Sequence, residues 1–165
     1  MPLHLVRRFL GALDPRGPVA VDERWAMDHL GPGEVALWCR MSGPDRCHAV
    51  GVARAVVASL GPSAATRPVV AAALLHDVGK VEAGLGTFGR VPATLAGLAA
   101  GHRRSAAWTG TVGTYLRHDS VGADLLRAAS ADPLTVTWAA EHHLPAARWS
   151  LPPAIASALK AADDD

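Results

Sequence analysis

Proline and glycine residues divide this chain into segments about as long as one helix. Breaks occur at Gly31-Pro32-Gly33, Ser42-Gly43-Pro44 and Gly61-Pro62, where the missing amide donor of proline and the flexibility of glycine end helices. Between the breaks Ala and Leu outnumber β-branched and aromatic residues, which favours helices because Ala and Leu lose little side-chain entropy there. Strand-like alternation is scarce, and only residues 134–138 are ambiguous. The 165 residues therefore predict an all-α, compact, single-domain helical bundle.

The bounds of the predicted helices follow from these breaks and from residues that cap helix ends. Asp22 is the expected N-cap of the second helix, and Thr66 is expected to cap the fifth, whose Pro68 suits a first turn. Three glycines in residues 84–89 indicate a loop. The predicted helices span residues 3–13, 22–30, 34–41, 45–60, 69–77, 91–100, 111–116, 121–129, 133–142 and 152–162.

Charge and cysteine content argue against several classes of protein. The chain carries 16 Lys and Arg against 15 Asp and Glu, a formal net charge of +1. General nucleic-acid binding is therefore not expected, since such proteins cluster strong positive charge, but a local pocket for a small anion is compatible with this balance. The two cysteines, Cys39 and Cys47, form no CxxC pair, and the apolar windows are shorter than the about 20 residues that span a bilayer. We expect a cytoplasmic protein without disulfides or a membrane segment.

The dipeptide His76-Asp77 is the strongest chemical feature. It interrupts the apolar segment Leu74-Leu75-His76-Asp77-Val78-Gly79-Lys80, where two buried polar side chains would be costly without a partner. A metal ion is a partner that compensates both, and neighbouring residues on a helix diverge by about 100°, so they can approach an ion from different sides. The alternative for an isolated pair is that His76 bonds a carbonyl while Asp77 faces water at the helix end.

Further ligand-type residues fall at helix ends on both sides of this pair. His48 lies one helix upstream, and His118 precedes the predicted helix 121–129. His142 ends the helix 133–142, and Asp163 follows the last helix. Several helices would thus each present one or two ligands to a common interior, which is how helical bundles build metal sites.

The order His48, His76-Asp77, Asp163 resembles the H…HD…D pattern of the HD superfamily of metal-dependent phosphohydrolases. Arg46-x-His48-Ala49-x-x-Val52-Ala53 is similar to the first-histidine helix of that family, Leu74-Leu75-His76-Asp77-Val78-Gly79-Lys80 to its LLHDIGK-type motif, and Lys160-Ala161-Ala162-Asp163 to the helix with its last ligand. The resemblance covers residues 45–165 and implies an HD-type metal-binding domain there. Residues 1–44 are expected to form N-terminal helices packed on this core as one globular unit.

A second likeness points to the HD-GYP and related branch with two metal ions. His118 followed by Val121-Gly122-Ala123-Asp124-Leu125-Leu126 is similar to its HPxxGAxLL segment, and Glu141-His142-His143 to its double-histidine segment. The likeness implies that His118 and His142 complete a second metal position, with Asp77 bridging the ions and His143 as a candidate further ligand. The Gly-Tyr-Pro motif of that branch is absent.

The resemblance implies a phosphohydrolase or phosphodiesterase that acts on a small phosphorylated substrate, such as a nucleotide or related molecule. One or two divalent ions, drawn from Mn, Fe, Ni, Co, Zn and Mg, would activate water as hydroxide by lowering its pKa from about 16 to near 7. Asp77 would be central to catalysis. Lys80 is a candidate phosphate contact, or only a lysine at a helix C-terminus. Asp119 is a candidate to orient a ligand or act as general acid, or else to cap the next helix.

Two alternatives of other classes stay open on the sequence alone. One is a binding module that keeps the HD scaffold to sense a ligand or partner with little or no catalysis. The other is a plain helical bundle whose histidines are incidental. Measurement of the metal content distinguishes the metal-dependent hydrolase from the plain helical bundle.

Overall fold

The computed structural model describes residues 16–82 and 117–165, and within these ranges the chain is all helical, with no strand. The predicted all-α fold is confirmed. Two short 3₁₀ helices, Val78–Glu82 and Ala146–Arg148, join the α-helices. The α-helices are α1 Ala20–Asp28, α2 Pro32–Arg40, α3 Gly43–Leu60, α4 Arg67–Leu75, α5 His118–Ala128, α6 Pro133–Glu141 and α7 Pro153–Asp164. The predicted helices 3–13, 91–100 and 111–116 and the loop 84–89 lie outside the described residues.

Most helix ends fall where the sequence has caps and breakers. Thr66 occupies the N-cap position of α4 but makes no side-chain cap hydrogen bond. Asp132 caps α6 by accepting from the Leu134 amide at 2.9 Å, and Gly61 ends α3 with a φ of 72°. The prediction that Asp22 caps the first of these helices was wrong. Val19 is the N-cap, and Asp22 lies inside the first turn, where its carboxylate bonds Arg54 of α3 at 3.0 Å.

Helix α4 lies at the centre of the bundle. It packs against α3 on one side and α6 on another, while α7 covers α3 and α5 packs against α6 and the first 3₁₀ helix. Every residue from Val69 to Leu75 is buried, so this helix is apolar all round, as expected for a helix enclosed by neighbours. The Thr135 hydroxyl donates to the Pro68 carbonyl at 3.2 Å and fixes α6 on α4.

The first two helices of the described chain belong to the same hydrophobic core. Ala26 and Trp38 are completely buried in it together with residues of α3 to α7. Glu23 of α1 ties this part together, because its Oε1 accepts from the Trp38 indole at 2.9 Å and from Arg46 of α3 at 2.7 Å. Among the described helices, none has both the length and the apolar character needed to cross a membrane.

Candidate metal centre

Seven histidine and aspartate side chains from five parts of the chain converge in the interior of the bundle. His76, Asp77, His118, His142 and Asp163 are buried, His48 is half-buried and His143 is exposed. They come from α3, from the turns after α4 and α6, from the start of α5 and from the end of α7. The structure therefore brings together the six residues that the sequence predicted as metal ligands and also His143, the candidate further ligand.

The turn after α4 carries the central pair. Helix α4 ends at Leu75, His76 is its C-cap, and a 3₁₀ helix begins at Val78. The prediction that His76 and Asp77 lie inside the helix was wrong. The α-helix ends at Leu75, just before them, and a tight 3₁₀ turn that includes Gly79 follows. The His76 Nδ1 bonds the Ala73 carbonyl at 2.9 Å. The alternative interpretation of the pair is therefore right that His76 bonds a carbonyl. It is wrong that Asp77 faces water, since Asp77 is only 5% exposed.

The turn after α6 repeats the same local arrangement. Helix α6 ends at Glu141, His142 is its C-cap, and the His142 Nδ1 bonds the Ala139 carbonyl at 2.9 Å. In both turns a carbonyl that accepts from Nδ1–H orients the ring and leaves Nε2 to face the cluster. The Nε2 atoms of His76 and His142 are buried without a hydrogen-bond partner in the described part of the chain. An unsatisfied buried polar atom costs about 1–3 kcal/mol, which a metal ion at these nitrogens would remove.

The first ligand group consists of His48, His76 and Asp77, whose ligand atoms lie within 4.8 Å of one another. Asp163 adjoins it: its Oδ1 lies 3.2 Å from the His48 Nε2 and 3.4 Å from the His76 Nε2. The His76 Nε2 is also 3.4 Å from Oδ2 of Asp77. Two ligand atoms that are each about 2.1 Å from one ion, at octahedral or tetrahedral angles, lie about 3.0–3.4 Å apart. The separations of 3.2–3.4 Å fall in this range, so these side chains could hold one divalent ion.

The second ligand group consists of Asp77, His118, His142 and His143, again within 4.8 Å of one another. Oδ1 of Asp77 lies 3.2 Å from the His118 Nε2 and 3.8 Å from the His142 Nε2. The Nε2 atoms of His118 and His143 are 3.0 Å apart, a distance that suits either an N–H···N hydrogen bond or two ligands of one ion. The group thus offers three imidazoles and one carboxylate oxygen.

Asp77 belongs to both groups through different oxygen atoms. Its Oδ2 faces His76 and its Oδ1 faces His118 and His142. A carboxylate placed in this way can bridge two ions, whose positive charges it holds together.

The electrostatics of the cluster favours the protonation states that metal ligands need at Asp77, Asp163 and His142, and a proton at His76. Burial alone lowers the pKa of His76, but the carboxylates of Asp77 and Asp163 outweigh it and raise this pKa to about 10. Burial would raise the pKa of Asp77, yet Lys80 and His76 hold it well below its usual range. Burial would likewise raise the pKa of Asp163, yet His48 and His76 beside it lower this pKa. Burial lowers the pKa of His142. The carboxylates stay ionised and His142 neutral, while the His76 proton takes the position of a cation.

Two lysines stand beside the two carboxylates. Lys80 lies in the first 3₁₀ helix and forms an ion pair with Oδ2 of Asp77. Lys160 of α7 lies 3.7 Å from Oδ2 of Asp163 and 2.7 Å from Oδ1 of Asp164. Lys80 was predicted from the sequence and Lys160 was not, although its spacing of three residues from Asp163 on a helix indicates this contact.

Asp119 is not a member of either ligand group in the described residues. It lies in the first turn of α5, where its Oδ1 accepts from the Ser120 amide at 2.7 Å. The N-cap position belongs to Arg117, so the capping role is not the one observed.

Comparison with protein-family models, with curated proteins and with solved structures finds no match for this chain.

Proposed function

We propose that this protein is a metal-dependent phosphoric ester hydrolase of the HD type that binds two divalent ions side by side. The observation that carries the proposal is the position of Asp77, with one carboxylate oxygen toward each group of histidines. His48, His76 and Asp163 would complete the first metal position, and His118, His142 and His143 the second. This assignment agrees with the resemblance of the sequence to the HD superfamily, including its branch with two metal ions.

The chemistry of the donor atoms narrows the choice of ion. Each group mixes imidazole nitrogens with carboxylate oxygens. Such sets suit Zn, Fe, Ni, Co or Mn better than Mg, which prefers oxygen and water ligands. Bound ions of this kind lower the pKa of water from about 16 to near 7 and neutralise charge on phosphoryl oxygens.

The positions of the surrounding residues indicate which of them would orient the metal ligands and which would contact the substrate. His76 and His142, at the buried base, are held by the carbonyls of Ala73 and Ala139 and keep their Nε2 atoms oriented. His48 is half-buried and His143 exposed, so a small phosphorylated substrate would approach from their side. Lys80 offers its ammonium next to the shared carboxylate and would contact a phosphate oxygen. We assign no proton transfer to Asp119, because its carboxylate is engaged with the Ser120 amide.

The test combines metal analysis with a screen of phosphate esters. Purified protein should hold close to two equivalents of Mn, Fe, Co, Ni or Zn, and should hydrolyse an aryl phosphate, a nucleotide or a cyclic nucleotide. Asp77→Asn should abolish hydrolysis and reduce the metal content. Asp124→Asn is the matched control, since Asp124 is exposed and pairs only with Arg127 in the contacts that the structure describes. Protein that binds no metal and cleaves none of these esters with any added ion would refute the proposal.

A binding module without catalysis is the second candidate, and the ion pair between Lys80 and Asp77 favours it. This pair neutralises the central carboxylate without a metal ion, so the helical scaffold would not need a metal to hold its fold while it binds a ligand. A sample that binds a phosphorylated nucleotide tightly but contains no metal would support this second candidate over the hydrolase.

A further inference from the structure

Gly79 lies two residues after Asp77, in the 3₁₀ helix that follows the central pair. A Cβ atom placed on Gly79 would meet the His118 carbonyl oxygen at 1.9 Å and the Gly122 amide nitrogen at 2.6 Å. Both atoms belong to the backbone of α5, so no side-chain rotation can relieve the overlap. Gly79 does not have the positive φ that Gly61 has. Its lack of a side chain is therefore needed for close approach and not for an unusual backbone conformation.

A second glycine makes a similar contact at the other end of α5. A Cβ atom on Gly33 of α2 would meet the Ala129 carbonyl oxygen at 2.4 Å, and Ala129 is the C-cap of α5. Backbone therefore touches backbone at both ends of this helix. Only the end at Gly79 carries a side chain of the cluster, His118.

We infer that Gly79 is a positioning residue, which sets the distance between His118 and Asp77 and so completes the second metal position. The inference rests on the proposed function, since it concerns how that site holds its second ion. Cβ atoms stay at least 3.0 Å from such neighbours, so a side chain at Gly79 requires α5 and the 3₁₀ helix to separate by about 1 Å. Metal–ligand distances tolerate only about 0.2 Å. The first position takes no ligand from α5 and would keep its ion.

The decisive experiment compares Gly79→Ala with Gly33→Ala. Both substitutions force backbone apart at an end of α5, and both should lower the melting temperature. After loading with Co²⁺ or Mn²⁺ and dialysis, Gly79→Ala should retain one ion per chain and Gly33→Ala two. Two ions retained in Gly79→Ala would overturn the inference, and so would loss of an ion in Gly33→Ala, because the whole helix and not Gly79 would then set the site.

A milder variant keeps the test valid if Gly79→Ala fails to fold. A Cβ atom on Gly122 would lie 3.1 Å from the Gly79 amide nitrogen, so Gly122→Ala asks for a shift of only tenths of an ångström at the same contact. It should fold and bind the second ion about 10–100-fold more weakly, the range typical of residues that orient metal ligands. Unchanged affinity for the second ion in Gly122→Ala would contradict the inference.

A measurement without metal separates this inference from the proposed function. The ring nitrogens of His118 in ¹⁵N-labelled, metal-free protein should shift in Gly79→Ala and Gly122→Ala, and should keep their wild-type positions in Gly33→Ala. If the wild-type protein bound no metal but these shifts occurred, the proposed function would fail while the positioning role of Gly79 would stand. Unchanged His118 signals in Gly79→Ala would refute the positioning role itself.

Discussion

His48 and Asp163 are 115 positions apart in the sequence, and their Nε2 and Oδ1 atoms lie 3.2 Å apart. The contact exists because α7 packs along α3, which brings the end of one helix to the first turns of the other. The same Asp163 oxygen lies 3.4 Å from the His76 Nε2. Asp163 at the end of α7 therefore completes the first ligand group, and this group depends on the packing of α7 against α3.

Substitution of Asp163 tests this dependence. Asp163→Asn removes the negative charge of a carboxylate that faces two histidines. The first ion should therefore bind at least about tenfold more weakly, as expected for disturbed metal sites. Calorimetric titration with Zn²⁺ or Mn²⁺ measures the effect. Asp164→Asn is the control, since Asp164 is adjacent, exposed and paired with Lys160, and its metal affinity should stay at the wild-type value. Equal losses in both variants would show that charge near the C-terminus matters and not the contact with His48.

The stability of the metal-free protein should fall as pH rises from about 6.5 to about 10. The pKa of His76 is raised from 6.5 to about 10 in the folded state, so the folded protein keeps a proton that the unfolded chain releases in this window. The stabilisation is complete below pH 6.5 and disappears as pH passes the folded value, with a slope of at most about 1.4 kcal/mol per pH unit. Urea unfolding in the presence of a chelator measures it.

Two further conditions complete this pH experiment. Asp77 and Asp163 have lowered pKa values, so their contributions are present above the usual carboxylate pKa of 3.8 and vanish as pH falls further. With saturating Zn²⁺ the dependence above pH 6.5 should lose its downward slope, because the ion replaces the proton of His76. A metal-free stability that is flat from pH 6.5 to 10 would contradict the ion pairing of His76 with the carboxylates.

Gly51 offers a stabilising substitution that leaves the cluster alone. It is exposed within α3, and a Cβ atom there would meet no neighbour within 4 Å. Gly51→Ala should therefore raise the free energy of unfolding by about 0.5–1 kcal/mol, because alanine loses less backbone entropy in a helix. Urea unfolding checks the gain, and metal content should be unchanged. A loss of stability would mean that this part of α3 is not a regular exposed helix.

The helical fold could be predicted because its causes are local. Proline and glycine breaks such as Gly61, together with the N-cap position at Thr66, lie within a few residues of the helix ends that they predict. Asp22 failed as a cap because a tertiary partner, Arg54 of α3, takes its carboxylate. The exact end of α4 at Leu75 was also missed, since the packing of Gly79 against α5 is not visible in the sequence.

The sequence predicts which residues belong to the cluster more completely than it predicts the distances between them. The residue types at His48, His76 and Asp163 limited the candidates, but only the packing of α3, α4 and α7 places them 3.2–3.4 Å apart. His143, which the sequence offered only as a candidate further ligand, joins the second group for the same reason. Asp119 sits beside His118 in sequence, yet neighbours on a helix point in different directions, and it stays outside both ligand groups.

Lys80 should separate substrate binding from metal binding. Its ammonium pairs with Oδ2 of Asp77, so Lys80→Met removes a cation that competes with metal ions for this carboxylate, and metal affinity should hold or increase. The same change removes a charged hydrogen-bond donor for phosphate, worth about 1.5–3 kcal/mol, so KM for a phosphate ester should rise roughly tenfold or more. Arg127→Met, at an exposed ion pair with Asp124, should change neither value. Weaker metal binding in Lys80→Met would instead mean that the lysine orients Asp77 as a ligand, and an unchanged KM would remove it from the substrate site.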